Sequence, residues 1–227
     1  MLTAIIVAAG SSSRMGFDKL FAEIAGKPVI AHSIVAFERA DSVAAIIIVA
    51  REDRHRAIEK MIGDQQFKKI HAIVKGGEHR QDSVHAGLDR LPENARYVAV
   101  HDAARPLVTA EQIERVYETT RTHGAASLAA PVSDTLKRAD VDLAVSGSVD
   151  RNRLFAMQTP QIFERKVLEN AYRAVFAEKL SVTDEVSAVE HAGGKVVLIP
   201  NEQPNFKITY PSDLSLAEFI LKQRRSN

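Results

Sequence analysis

The sequence predicts an α/β fold in which a mostly parallel, doubly wound sheet is covered by helices on both faces. Three observations support this prediction. Short apolar runs rich in Ile and Val recur along the chain, segments with helical spacing lie between them, and the runs are nearly continuous rather than alternating. Continuous apolar runs are typical of strands buried on both faces, and strands that alternate with helices favour right-handed βαβ units.

The individual strand and helix predictions rest on the spacing of apolar residues. The runs that predict strands occupy residues 2–8, 43–50, 70–75, 97–103, 125–132 and 195–200. Segments with helical spacing occupy residues 27–40, 81–91, 109–120, 164–176, 183–192 and 211–223. Thr109 is a suitable N-cap because glutamates follow it in the first turns of its helix. We expect a single domain over residues 1–227.

The alternation of strands and helices breaks at about residues 133–155. This stretch contains β-like pieces and a Gly-Ser turn at residues 146–148, so it predicts a hairpin arm that leaves the main body. Strand edges exposed on such an arm would be satisfied by pairing with a second chain. We therefore expect a homodimer formed through the arm.

Composition restricts the classes of function. The 227 residues are 45% hydrophobic and 26% charged, with a formal net charge of +1, which is typical of a water-soluble globular protein. No charge excess indicates a nucleic-acid or membrane surface. The absence of cysteine excludes disulfides, thiolate nucleophiles and cysteine-ligated zinc. Apolar runs such as 43–50 are far shorter than the roughly 20 residues of a membrane span, so we expect a cytoplasmic protein.

The loop after the first predicted strand, AAGSSSRMGFDKL at residues 8–20, predicts a phosphate site. It lies at the carboxyl end of a strand, where open α/β sheets bind ligands. Small residues such as Gly10 let backbone N–H groups approach an anion, and Arg14 and Lys19 add positive charge suited to a polyphosphate. The loop matches neither the P-loop pattern nor the dinucleotide-binding pattern GxGxxG. A surface turn with solvated cations is the alternative.

Two further strand ends carry candidate ligand-binding residues. In KGGEHRQDSV, Gly76 and Gly77 allow close approach of the backbone to a ligand, although a plain loop that caps a helix would also explain this composition. In VHDAARP, Asp102 ends the fourth predicted strand and could bind a divalent metal or a ribose hydroxyl. The small Ala103 and Ala104 would leave room for a base or sugar. The alternative is an aspartate that caps a turn.

Residues around and beyond the predicted arm indicate a second anion site. Thr135 and Arg151 flank the arm and, with Thr159, could gather around a phosphate. Lys207 lies in a short β-like piece before the final predicted helix. Each of these cations could equally be a solvated or interface charge. The eight histidines show no spacing typical of a metal site.

Taken together, these motifs resemble those of the 2-C-methyl-D-erythritol 4-phosphate cytidylyltransferases. Over residues 2–221 the chain carries, in the order of that family, AAGSSSRMG, GGEHRQDSV, HDAARP, DTLKR, VDRNRLFAMQTPQ, TDE, FKIT and PSDL. The resemblance implies a Rossmann-like, GT-A-type nucleotidyltransferase fold with three layers and a protruding β-arm for dimerisation. It also implies transfer of a cytidylyl group from CTP to 2-C-methyl-D-erythritol 4-phosphate in the non-mevalonate route to isoprenoids. The products would be 4-diphosphocytidyl-2-C-methyl-D-erythritol and pyrophosphate.

The resemblance also implies roles for individual residues. Arg14 and Lys19 match the cations that stabilise the transition state, and Asp102 is the best protein candidate for contact with Mg²⁺ or another divalent cation. The nucleotide pocket matches Ala8, Ala9, Gly10, Ser12, Gly77, Glu78, Ser83, Asp102 and Ala103. The acceptor pocket matches Thr135, Arg151, Thr159, Thr183 and Lys207. The resemblance further implies that Arg151 and Lys207 bind the acceptor phosphate and count with the catalytic residues.

The chain departs from the usual pattern of that family at two places in the first loop. The family often has glycine where Ser12 stands, and a serine has fewer backbone conformations available than a glycine. The family often reads Pro-Lys-Gln where this chain has Asp18, Lys19 and Leu20, so the cation is kept in a different local sequence.

Composition and spacing leave other functions open. A cytidylyltransferase for another sugar-alcohol phosphate, such as ribitol 5-phosphate, would use the same loops. So would a sugar-1-phosphate nucleotidyltransferase that takes UTP or GTP. A non-catalytic nucleotide-binding module is a further alternative, although binding alone does not require both Arg14 and Lys19. The choice of cytosine over uracil rests on the resemblance alone.

Overall fold

The computed structural model describes residues 1–12 and 15–226, with only the backbone of Ser226. Its main strands are β1 (Leu2–Ala8), β4 (Val43–Ala50), β5 (Ile70–Lys75), β6 (Tyr97–Asp102), β7 (Ala125–Pro131), β10 (Phe155–Glu164) and β11 (Val197–Pro200). In the described chain they form one seven-stranded sheet in the order β11-β7-β10-β6-β1-β4-β5. Two separate pairs are β2 (Glu23–Ile24) with β3 (Lys27–Pro28), and β8 (Leu136–Ala139) with β9 (Val145–Val149).

Helices pack on both faces of the sheet. They are α1 (Val29–Arg39), α2 (His55–Gln65), α3 (Arg80–Leu88), α4 (Ala110–His123), α5 (Arg165–Ala177), α6 (Glu185–His191) and α7 (Pro211–Ser226). Successive side chains of β1 point to opposite faces, so that Ala4 and Ile6 pack in the core with α1 and α4, whereas Ile5 packs with α3 and α5. The predicted three-layer α/β architecture is confirmed. None of the helices in the described parts of the chain combines the length and the apolar character that crossing a bilayer requires.

Most neighbouring strands of the sheet are parallel, as the continuous apolar runs predict. The exception is β10, which runs antiparallel to both β6 and β7. The sequence patterns do not predict β10, because the polar residues Gln158, Thr159 and Gln161 interrupt it; these side chains are buried and hydrogen-bonded. Nor do they predict α2, a charged helix that buries only Ile58 and Met61.

The arm predicted at residues 133–155 is a hairpin, but the prediction of its turn is wrong. β8 and β9 pair antiparallel, and none of their residues is buried. Residues 146–148, the predicted turn, lie inside β9. The chain reverses instead at 140–144, where Oδ1 of Asp140 accepts hydrogen bonds from the N–H groups of Asp142 and Ala144. An aspartate that bonds to the backbone two residues ahead is the stronger turn signal.

The carboxyl ends of β1, β4, β5 and β6 meet at one edge of the sheet. The register pairs Ala8 with Ala50, Ala50 with Lys75, and Val7 with Asp102. The prediction that Asp102 ends a strand is confirmed. The loops that follow these strands therefore converge at the edge where open α/β sheets bind ligands.

Candidate functional site

A cavity of about 270 Å³ opens at the carboxyl end of β1. Its walls come from the loop after β1, the start of α3, the end of β6 and the segment before α7. The predicted site residues that line it are Ala8, Ala9, Gly10, Ser12, Lys19, Gly77, Glu78, Ser83, Asp102 and Lys207. The fold thus brings together most of the residues predicted to surround a nucleotide, and adds Lys207, which was predicted for the acceptor.

Close packing requires glycine at the start of the second loop of this cavity. A Cβ atom on Gly76 would lie 2.5 Å from the Cβ atom of Ala9, and one on Gly77 would lie 2.3 Å from that of Asp82. The hydroxyl of Ser83 accepts a hydrogen bond from the N–H of Gly77 and donates one to the carbonyl of His79. The close backbone approach predicted for these glycines brings the start of α3 against the first loop.

Lys19 is held at the wall of the cavity by its own contacts and by those of its neighbour. Its ammonium donates a hydrogen bond to the carbonyl oxygen of Ile208 at 2.6 Å. The almost fully buried Arg54 donates to Oδ2 of Asp18 at 2.6 Å and to the carbonyl oxygen of Ala8 at 2.5 Å. Asp18, which stands where the family often has proline, therefore ties the loop of Lys19 to the end of β1. The local sequence carries no signal that Arg54 is buried.

Ser12 adopts the backbone conformation for which glycine is suited. Its φ is 57°, in the left-handed region, which costs an L-residue roughly 1–2 kcal/mol. Its hydroxyl oxygen is buried and has no hydrogen-bond partner among the residues that the structure describes. Arg14, the other cation predicted to be catalytic, lies outside the described residues.

A second cavity, of about 460 Å³, lies beside the first. Its lining includes Thr159 and Thr183, both predicted for the acceptor, and Arg105. The residues that line both cavities are Arg80, Asp102 and Lys207. A phosphate group in one cavity would therefore lie close to a phosphate group in the other.

Asp102 lies at the junction of the two cavities and is surrounded by cations. Its Oδ1 is 3.1 Å from Nε of Arg80, and its Oδ2 is 3.0 Å from Nζ of Lys207 and 3.6 Å from Nε of Arg105. Burial acts to raise the pKa of this carboxyl, but the three positive charges outweigh burial and hold the pKa well below its usual range. Asp102 is therefore ionised, and it gathers three cations where the cavities meet.

The hydroxyl of Thr159 belongs to a buried network behind the second cavity. Its Oγ1 accepts a hydrogen bond from the N–H of Asp102 at 3.1 Å and lies 2.9 Å from Nδ1 of His101. Nε2 of His101 lies 3.2 Å from the carbonyl oxygen of Arg105, so a neutral ring with its proton on Nε2 satisfies both contacts. Burial lowers the pKa of His101 to about 3, which keeps the ring neutral. Thr159 thus fixes the end of β6.

Three of the predicted site residues that the structure describes line neither cavity. Ala103 is buried and accepts a hydrogen bond from the hydroxyl of Ser33, and its neighbour Ala104 lines the first cavity instead. Thr135 and Arg151 are exposed on the arm, where the guanidinium of Arg151 donates to the carbonyl of Ser133. The arm therefore does not deliver these two residues to the cavities of its own chain.

The sequence patterns did not single out Arg80 and Arg105 as site residues, although both stand in motifs that follow strand ends. Arg80 is the first residue of α3, and Arg105 lies three residues after the end of β6. That position was the available signal. Their carboxylate partners lie on other elements, and Glu185, which pairs with Arg80, is far away in sequence. Only the folded chain shows these pairs.

Relatives of this chain share nearly its whole length. The family model described as "IspD: 2-C-methyl-D-erythritol 4-phosphate cytidylyltransferase" matches residues 2–223. The protein of that name from Caldanaerobacter subterraneus subsp. tengcongensis is 40% identical, and the match covers 98% of this chain and 99% of that protein. The one from Salinibacter ruber is also 40% identical, with coverage of 96% and 92%.

Solved structures of similar sequence share the fold. The crystal structure of 4-diphosphocytidyl-2C-methyl-D-erythritol synthase from Anaerococcus prevotii matches with a TM-score of 0.86 at 29% identity, covering 98% of this chain and 96% of that chain. The 2-C-methyl-D-erythritol 4-phosphate cytidylyltransferase from Thermus thermophilus matches with a TM-score of 0.80 at 28% identity, with coverage of 96% and 98%. The fold implied by the resemblance is confirmed. The family model and these relatives show that the chain belongs to the IspD family of 2-C-methyl-D-erythritol 4-phosphate cytidylyltransferases.

Proposed function

We propose that this chain transfers a cytidylyl group from CTP to 2-C-methyl-D-erythritol 4-phosphate, giving 4-diphosphocytidyl-2-C-methyl-D-erythritol and pyrophosphate. One observation carries the proposal: two cavities meet at Arg80, Asp102 and Lys207, so a nucleotide and a phosphorylated acceptor can lie with their phosphates side by side. The family and the names of the relatives supply the identities of the two substrates. The product belongs to isoprenoid precursor synthesis.

The acceptor phosphate is itself the nucleophile in this reaction. One of its oxygen atoms forms a bond to the α-phosphorus of CTP. The bond from that phosphorus to the oxygen that bridges to the β-phosphorus breaks, and the electron pair leaves with pyrophosphate. No protein nucleophile is needed, which suits a chain without cysteine. Because both reactants are anions, the protein must hold them together and neutralise charge.

The first cavity suits the triphosphate and the nucleoside of CTP. The small residues Ala9 and Gly10 let backbone N–H groups approach phosphate oxygens, and the hydroxyl of Ser12, which has no hydrogen-bond partner among the described residues, adds a donor. Lys19, together with Arg14 of the same loop, would stabilise the negative charge that develops in the transition state.

The second cavity suits the acceptor. Nη1 and Nη2 of Arg105 donate hydrogen bonds to the carbonyls of Asn205 and Met157. Its Nε is buried and lies 3.6 Å from Oδ2 of Asp102. Arg105 therefore adds positive charge behind the cavity wall, and the partly exposed ammonium of Lys207 is suited to oxygen atoms of the acceptor phosphate. Thr183, the first residue of the sequence motif TDE, adds a hydroxyl group to the lining.

We expect a Mg²⁺ ion that is held mainly by phosphate oxygens of the substrates. No group of three or more acidic or histidine side chains in the described chain could hold a metal ion by itself. Asp102 would provide one ionised oxygen ligand in competition with Arg80 and Lys207, and Mg²⁺ commonly combines one or two carboxylates with phosphate oxygens. When bound, the ion would neutralise charge on the triphosphate. Asp102 would share its oxygens between the ion and the neighbouring cations.

The arm is expected to complete the acceptor site in a homodimer. Large apolar side chains lie exposed around its turn, with Val141 97%, Leu143 84% and Val145 68% exposed. Such a patch on a hairpin is typical of a surface that another chain covers. An arm that crosses to a second copy would carry Thr135 and Arg151 to the cavities of that copy. The cytoplasmic location expected from the sequence stays a prediction.

Release of pyrophosphate tests the proposed function. The purified protein would be mixed with Mg²⁺ and with CTP, UTP, ATP or GTP, against 2-C-methyl-D-erythritol 4-phosphate and ribitol 5-phosphate in turn. We expect turnover only with CTP and 2-C-methyl-D-erythritol 4-phosphate. Turnover with ribitol 5-phosphate alone would show that the acceptor is a different sugar-alcohol phosphate. The type of transfer reaction would remain as proposed. The absence of release with any pair, from folded protein, would favour the binding-module alternative.

A further inference from the structure

We infer that Glu185 is a positioning residue for the transfer reaction and fixes the guanidinium of Arg80 where the two cavities meet. Arg80 lines both cavities, whereas Glu185 is fully buried and lines neither. Glu185 therefore acts on the substrates through Arg80. The reaction named here rests on the proposed function, while the geometry of the pair stands independently of it.

Every nitrogen of the Arg80 guanidinium has a carboxylate partner. Nη1 and Nη2 donate to the two carboxylate oxygens of Glu185, at 2.7 and 3.0 Å, and Nε donates to Oδ1 of Asp102 at 3.1 Å. Two parallel hydrogen bonds to one carboxylate fix the plane of a guanidinium. The Arg80 side chain keeps 24% of its surface exposed, so a ligand can still reach it.

Glu185 is itself held rigidly. The hydroxyl of Tyr172 donates to its Oε1 at 3.0 Å. The N–H groups of Glu185 and Val186 donate to Oε1 of Gln161 at 3.1 and 3.2 Å, which fixes the start of α6. A carboxylate without exposed surface is tolerated only when a cation pairs with it, and Arg80 is that cation. The buried side chains that hold Glu185 therefore also determine the position of Arg80.

Glu185 also determines how Asp102 is shared among its cations. Because two of its nitrogens are bound to Glu185, Arg80 reaches only Oδ1 of Asp102, and Oδ2 remains available to Lys207 at 3.0 Å. Without the charge of Glu185, a bidentate pair between Arg80 and Asp102 becomes the best arrangement for the guanidinium. That rearrangement would displace Lys207 and alter the wall that both cavities share.

Steady-state kinetics of Glu185→Gln tests this role. We expect kcat/KM for either substrate to fall by roughly 10–100-fold, because displacement of a positioning group by about 1 Å has an effect of that order. The matched control is Glu169→Gln, which removes the carboxylate of another ion pair, with Arg165 at 2.7 Å. Neither residue of that pair lines a cavity. The control should change kcat/KM by less than about threefold.

A double variant separates positioning from stability alone. Arg80→Met combined with Glu185→Gln removes both charges and leaves no buried carboxylate unpaired. If Glu185 acts only through Arg80, its replacement will have little further effect once Arg80 is Met, so the double variant and Arg80→Met will agree in kcat/KM within about threefold. A Glu185→Gln variant with wild-type kinetics and only a lower melting temperature would make Glu185 purely structural and overturn the inference. A double variant far less active than Arg80→Met would overturn it too, since Glu185 would then act without Arg80.

Pyrophosphate release by the wild-type protein distinguishes failure of the proposed function from failure of the positioning role. If the wild type releases no pyrophosphate, the proposed function fails and binding of CTP, measured by calorimetry, tests the positioning role instead. A Kd for CTP that rises about fivefold or more in Glu185→Gln, and not in Glu169→Gln, supports the role. An unchanged Kd contradicts it.

Discussion

The ammonium nitrogen of Lys207 lies 3.0 Å from Oδ2 of Asp102, and both residues line both cavities. Asp102 ends β6, while Lys207 belongs to the segment before α7. The N–H of Ile208 donates to the carbonyl of Ala104 at 2.8 Å and so ties that segment to the loop after β6. The pair therefore marks the point at which the nucleotide cavity and the acceptor cavity become one site.

Replacement of Lys207 should weaken binding of the acceptor more than binding of CTP. Lys207→Met removes a cation for the acceptor phosphate, so we expect the acceptor KM to rise by roughly tenfold or more, with a smaller change in the KM for CTP. Initial rates at varied acceptor and fixed CTP measure this. Lys195→Met, at an exposed lysine that lines neither cavity, is the control. Equal changes in both KM values would contradict the assignment.

Replacement of Lys19 should act on turnover. Because Lys19 is assigned to the charge that develops in the transition state, Lys19→Ala should lower kcat on the order of 100-fold or more, by analogy with removal of an oxyanion donor. The measurement is kcat at saturating concentrations of both substrates. Lys60→Ala, at an exposed lysine paired with Asp64, should leave kcat unchanged. A near-normal kcat in Lys19→Ala would show that this cation is not needed for the chemical step.

Mixing of inactive variants tests whether Arg151 acts across a dimer. Neither Lys19→Ala nor Arg151→Ala should turn over efficiently alone. If the arm crosses to the partner, a mixed dimer has one site with an intact Lys19 and an intact Arg151. Random reassociation of equal amounts should then restore about a quarter of the wild-type activity. No recovery, although mixed dimers are detected by mass, would place Arg151 in the site of its own chain.

The buried His101 should make the protein less stable as the pH falls. In the unfolded chain its imidazole takes up a proton near the ordinary pKa of about 6.5, whereas in the folded protein the pKa is lowered to about 3 by burial. Between these values the unfolded state binds more protons, so the free energy of unfolding decreases as the pH decreases.

Differential scanning calorimetry measures this dependence. His101→Gln removes the titrating group, so the fall in melting temperature between about pH 7 and pH 5 should be smaller than in the wild type. Some dependence should remain, because burial also lowers the pKa of His32. An identical pH dependence in the variant would show that His101 is not the responsible group.

Local sequence patterns predict the framework of this protein well. The continuous runs of Ile and Val predicted the parallel strands, and Thr109 is the N-cap of α4, where its hydroxyl accepts a hydrogen bond from the N–H of Gln112. Strand ends predicted which loops converge, because parallel strands share one carboxyl edge. Most residues of the first cavity follow from that rule.

The features that were missed depend on partners that are distant in sequence. β10 contains several polar side chains. Their burial in the core is tolerated because they form hydrogen bonds, such as that from Gln161 to Asp184. The local sequence predicts that Arg80 is an exposed helix residue, because its partner Glu185 is distant in sequence. Arg151 lines neither cavity of its own chain, so the role predicted for it would require a second copy of the chain. Composition and spacing report none of these pairings.

An isotope-transfer experiment tests whether the acceptor phosphate attacks the α-phosphorus of CTP. The acceptor would carry ¹⁸O at the three non-ester oxygens of its phosphate, and mass spectrometry would measure the label in both products. We predict that all of the label stays in 4-diphosphocytidyl-2-C-methyl-D-erythritol and that pyrophosphate is unlabelled. One labelled oxygen should bridge the two phosphorus atoms of that product. Label in pyrophosphate, or its loss from the cytidine product, would contradict this mechanism.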